Sequence, residues 1–88
     1  MSQEQWVEFT RAFVAEQLKG LVDDVTVDSG SPQLKENQCE VIATYMKGGV
    51  KRYAAQVVSK QLMSSFGERQ DWTEFFKSVI RYDQEKAQ

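Results

Sequence analysis

The chain of 88 residues contains no histidine, one cysteine and one proline. Without histidine no Ser–His or Cys–His pair can form, the usual general base near neutral pH is missing, and the commonest transition-metal ligand is absent. A lone thiol closes no internal disulfide, so packing must hold the fold, and a reducing, cytoplasmic compartment is expected. The N-terminal segment is charged and amphipathic rather than continuously apolar, so it does not read as a signal peptide. No stretch approaches the roughly 20 apolar residues that cross a bilayer, and no membrane partner is expected.

Carboxylates are what remains for catalysis. Asp23, Asp24 and Asp28 sit at the ends of a short predicted strand, where solvated turn acids are ordinary, and they read neither as an acid–base pair nor as a metal site. Cys39 opens a second strand beside Glu40 and Val41 with no basic neighbour in sequence to favour its thiolate, so it reads as a small buried hydrophobe. No enzyme activity and no cofactor are expected.

The chain does contain apolar surface, 41% of its residues, with two Trp, three Tyr and five Phe. That is enough for one folded domain spanning residues 1–88, with a thin stability margin at this length. Ser2 and Gln5 have capping-box spacing ahead of Trp6, Val7, Phe9, Phe13, Val14, Leu18 and Leu21, which predicts a helix over residues 3–19 stopped by Gly20. The alternation in Val25-Thr26-Val27 predicts a short strand. Turn chemistry follows at residues 28–32 (Asp-Ser-Gly-Ser-Pro), and a second strand is expected over residues 39–46.

Residues 50–66 fit two templates. A hairpin through Gly48-Gly49, pairing Lys47 with Val50, puts Val41, Ala43 and Tyr45 on one face with Arg52, Ala54 and Gln56, and leaves neither face cleanly apolar. As a helix, Val50, Tyr53, Ala54, Val57, Val58, Leu62 and Phe66 form one stripe, with Gly67 as the stop, and residues 51–65 are expected to be mainly helical. A last helix is expected after Asp71 as N-cap, with Trp72, Phe75, Phe76, Val79 and Ile80 on one face. Trp72 and Phe75 are assigned to the core, where truncation to alanine costs about 3 to 5 kcal/mol. The expected fold is therefore α+β, ordered helix-strand-strand-helix-helix on a short antiparallel sheet. The alternative is helix, three-stranded antiparallel sheet, helix, an order shared with double-stranded RNA-binding domains as a likeness of topology alone. Trp6 to Val14 and Trp72 to Ile80 also share the pattern Trp-x-Glu-Phe-x-basic-x-apolar-apolar, as expected of two helices docking in the same way.

Charge is unevenly placed. Residues 1–40 hold eight acids and three bases, residues 68–88 five acids and four bases, whereas residues 41–67 hold Lys47, Lys51, Arg52 and Lys60 and no acid. If a helix began near Val50, Lys47, Gly48, Gly49, Lys51 and Arg52 would bring backbone N–H groups, a helix dipole and cations to one anion, with Lys60 extending the patch. These features predict a small non-enzymatic interaction module, an adaptor, regulator or inhibitor. It would contact another protein, or a second copy as a homodimer, through the basic patch and aromatic helix faces. Nucleic-acid binding is the first alternative, although four bases are fewer than the six or more phosphate contacts of typical duplex binders. A small enzyme or an anion-binding protein is the other.

Overall fold

In the computed structural model, which describes residues 2–86, the capping box at Ser2 is formed. The Ser2 Oγ accepts from the Gln5 N–H and the Gln5 side chain accepts from the Ser2 N–H, which satisfies orphan donors of the first turn. Helix α1 runs Gln3–Gln17, and the chain turns away at Gly20, whose φ of +83° is open to glycine at little cost. Three antiparallel strands follow, β1 (Asp24–Asp28), β2 (Gln38–Lys47) and β3 (Val50–Ser59), in sheet order β1-β2-β3. A single turn of helix, α2 (Lys60–Ser64), leads into α3 (Phe66–Glu85).

The α+β class is as expected, and the sheet is the three-stranded alternative. The helix expected over residues 50–66 does not form: the segment is β3 followed by α2. Gly48 and Gly49 both have positive φ, +57° and +79°, the backbone of a tight two-residue hairpin turn, and Lys47 pairs with Val50. The mixed inner face is tolerated because Arg52 lies at the end of the sheet, where its charge finds a partner, and Gln56 is only half-buried. The outer face is uncovered, so it never had to be apolar. The last helix also starts earlier than Asp71. Ser65 caps it by accepting from the Glu68 N–H, and Gly67, expected as a stop, lies in its first turn.

Both long helices lie on one face of the sheet, α1 packing mainly on β1 and α3 on β3. Strict alternation in β2 turns Cys39, Val41, Ala43 and Tyr45 inward, where they meet Val25, Val58, Trp6, Val14, Leu18, Phe76 and Ile80. The two buried threonines return their hydroxyls to their own helices, Thr10 Oγ1 donating to the Trp6 carbonyl and Thr73 Oγ1 to that of Arg69, so neither leaves an unpaired group. The two Trp-x-Glu-Phe segments do dock alike, and their fifth positions, Thr10 and Phe76, are both fully buried.

The assignment of Phe75 to the core is corrected by the structure. Phe76 is fully buried and stacks on half-buried Trp72 at 5.2 Å, whereas Phe75 is 56% exposed. We therefore expect Phe76→Ala to lower stability by about 3 to 5 kcal/mol through the cavity it leaves, and Phe75→Ala by less than about 1 kcal/mol. Denaturant unfolding followed by circular dichroism will separate them, and comparable losses would contradict the packing described.

Candidate interaction surface

The basic block is dispersed by the hairpin. Asp83, near the end of α3, accepts from Arg52 Nε at 2.8 Å, Arg52 Nη2 at 3.0 Å and the Tyr45 hydroxyl at 2.6 Å, and Lys47 Nζ lies 3.6 Å away. With the Lys47 and Asp83 side chains only 12% and 19% exposed, this cluster is an internal tie between sheet and helix. The Tyr45 hydrogen bond, then Arg52 and Lys47, hold the Asp83 carboxyl below its ordinary range despite partial desolvation. Burial and the neighbouring carboxylate push the Tyr45 phenol up. Lys51 is exposed on the open face of the sheet, and Lys60 begins α2 at the far end of β3, roughly 30 Å from Val50 at about 3.3 Å per residue. Gly48 and Gly49 form the hairpin turn, and no helix starts beside them. The cradle of glycines, helix N-terminus and cations expected around Lys47, Lys51 and Arg52 is therefore not assembled.

A second cation is also held internally. The Arg69 guanidinium lies 5.2 Å from the ring centres of Phe9 and Phe13 and 5.0 Å from that of Phe66, and its Nη1 donates to the Met63 carbonyl at 3.2 Å. Its Nε is buried without a hydrogen-bond partner among the described residues, so cation–π attraction is what balances its desolvation. Beside it lies a cavity of about 350 Å³ lined by Trp6, Phe9, Lys60, Met63, Ser64 and Arg69. Cys39 is fully buried, and desolvation pushes its thiol up to about 11.

Among the described residues, the feature with no internal partner is one edge of the sheet. Natural sheets usually protect their edges with short strands, charge, proline or bulges. β1 does so, being five residues long with an exposed Asp at each end. β3 does not. It has ten residues, no acid and no proline, and pairs with β2 residue for residue without a bulge. In a two-residue turn the Lys47 carbonyl faces the Val50 N–H, so alternation turns the N–H and C=O groups of Lys51, Tyr53, Ala55, Val57 and Ser59 away from β2. The Lys60 N–H, which reaches the Asn37 carbonyl at 2.8 Å, keeps the same alternation.

Helix α3 continues this surface. Asp83 on one flank reaches Arg52 of β3, while Gln84 on the other donates to the Leu21 carbonyl beyond α1. At 100° per residue Phe75, Val79 and Tyr82 project on the Asp83 flank, above the outer edge of β3. They are 56%, 37% and 69% exposed. Tyr53 and Val57, 65% and 49% exposed, extend the apolar surface round the strand. The sequence did carry a signal for this stripe: Trp72, Phe75, Phe76, Val79 and Ile80 span too wide an arc for one contact with a sheet. Nothing in the linear pattern pointed to Asp83 as the acid that would draw in Lys47 and Arg52.

Comparison with protein-family models, curated proteins and solved structures found no match.

The Asp83 tie carries a pH signature. A carboxyl whose folded pKa is depressed stabilises the fold above its unfolded pKa, about 3.9, and that contribution disappears as pH falls through the lower folded value. Asp83→Asn should therefore be less stable than the native chain at pH 7, with the gap closing progressively below about pH 4. Denaturation midpoints measured from pH 7 to pH 2 will read this, and a gap independent of pH would show that the Asp83 charge contributes nothing to the fold.

Proposed function

We propose that this chain is a non-enzymatic protein-interaction module whose contact surface is the β3 edge with the exposed stripe of α3, in place of the basic block. The observation that supports it most is the ten-residue edge strand, uncharged from Tyr53 to Ser59, lying beside Phe75, Val79 and Tyr82. An edge of this kind offers main-chain hydrogen bonds for affinity and apolar side chains for specificity, the means by which strand addition recognises a partner. Apolar surface rich in aromatic residues is also what the centre of a protein interface needs.

The residues available for chemistry fit a binding role better than a catalytic one. The sole thiol is buried and protonated at neutral pH, and Asp24 and Asp28 face solvent along β1. Nucleic-acid binding is the weaker reading, because Lys47 and Arg52 already share Asp83 while Lys51 and Lys60 stand at opposite ends of β3. The buried free thiol favours a reducing, cytoplasmic setting. Among the described residues no helix is long and apolar enough to cross a membrane.

The reading is tested with the double variant Val57→Glu, Phe75→Glu, which places charge on both parts of the surface. Both side chains are exposed, so its unfolding midpoint should stay close to that of the native chain. In parallel affinity enrichments from native cells with quantitative mass spectrometry, specific partners should fall at least tenfold with the variant. Equal recovery with native and variant chains would remove this edge as the contact surface.

A further inference from the structure

Resting on that reading, we propose that the occupant of the edge is a second copy of the chain. The β3 strands of two protomers pair antiparallel about a two-fold axis through Ala55, normal to the sheet, and join two three-stranded sheets into one of six strands. The two α3 helices then lie antiparallel across the same axis.

The register follows from the outward-facing groups. With Ala55 opposite its counterpart, Tyr53 meets Val57 and Lys51 meets Ser59, all with N–H and C=O groups facing outward. Arg52 falls opposite Val58, so no like charges meet. The exposed Tyr53 and Val57 side chains cover one another across the new strand pair. β1 is the opposite case: centred on Thr26, self-pairing would set Asp24 against Asp28 and oppose acid to acid.

The helices lie about the same axis. Asp83 lies against Arg52, and α3 starts beyond the Ser59 end of β3 and runs antiparallel to it. Four residues back from Asp83, about 6 Å at 1.5 Å per residue, Val79 stands level with Ala54, two residues along β3 at about 3.3 Å each. An axis at Ala55, one residue or about 3.3 Å further along, therefore passes beside Phe76 and Lys77. Antiparallel helices centred there bring Phe75 to Val79 and set Tyr82 near Asp71, so the centre of the contact is apolar on apolar. An extended peptide would satisfy the β3 edge but leave Phe75, Val79 and Tyr82 in water. A second copy supplies both a strand and a matching helix, and the interface is self-complementary as two-fold symmetry requires.

Three measurements on the full chain test this. Sedimentation velocity over a concentration series should give twice the chain mass for the native protein. Val79→Glu, which leaves β3 untouched, should weaken self-association at least tenfold while keeping the native circular dichroism. Under mild oxidation Ala55→Cys should cross-link to a dimer, because directly paired Cα atoms stand about 5.5 Å apart. Val57→Cys should not, since its counterpart lies four residues along, about 13 Å away. A monomer throughout the concentration range, or Val57→Cys cross-linking as fast as Ala55→Cys, overturns the proposed dimer. If the native chain is monomeric while the Val57→Glu, Phe75→Glu variant still loses its partners, the edge serves a different protein and only the self-pairing falls. If neither effect is seen, both readings fall together.

Discussion

The backbone conformation of Gly48 and Gly49 is the constraint on which the rest of the structure depends. Two consecutive residues with positive φ close a hairpin tight enough to set Lys47 opposite Val50, and from that pair the register runs unbroken to Gln38 and Ser59. A slip of one residue would exchange the faces of β3, turning Val58 and Ala54 outward and Tyr53 and Lys51 towards the helices. An L-residue at either turn position would meet the steric cost of the left-handed region, although the space around Gly49 is open.

From that register follows the fate of the charges. Arg52 lies opposite Tyr45 on the inner face, and Lys47 stands at the end of the same hairpin. All three reach Asp83 because α3 returns along β3 and ends above the turn. A group of cations that looks like a site for an external anion thus holds the last turns of α3 to the sheet. Arg69 plays a comparable part at the other end of the helix, where three phenyl rings replace a counter-ion and link the start of α3 to α1.

With Lys47, Arg52 and Arg69 engaged by groups of the same chain, the molecule presents a different kind of asymmetry to its surroundings. Two helices cover one face of a three-stranded sheet, and the two edges of that sheet are unlike. β1 is short and flanked by acids, as an isolated edge tends to be. β3 is long, free of acids and bordered by the aromatic flank of α3. Exposed backbone groups and exposed apolar side chains coincide along one line of the surface, and the proposed association rests on that coincidence.

Much of the architecture was legible in the chain. The Ser2–Gln5 capping box, the alternation of β2, the turn residues before it and the width of the last apolar arc are all local patterns with local causes. They determined the first helix, the first two strands, the α+β class and the buried state of Cys39. Residues 50–66 were misleading, because their apolar spacing fits a helical stripe better than the strand that forms. Only pairing with β2 resolved them, and pairing energy depends on residues distant in sequence. The same holds for the candidate site. Lys47, Lys51, Arg52 and Lys60 are neighbours along the chain, but a strand separates its successive side chains onto opposite faces and its ends by tens of ångströms. Asp83 and the β3 edge acquire their roles only where α3 folds back over the sheet. Sequence determines which residues can form each element, whereas tertiary packing decides which charges are already paired and which apolar surface is left uncovered.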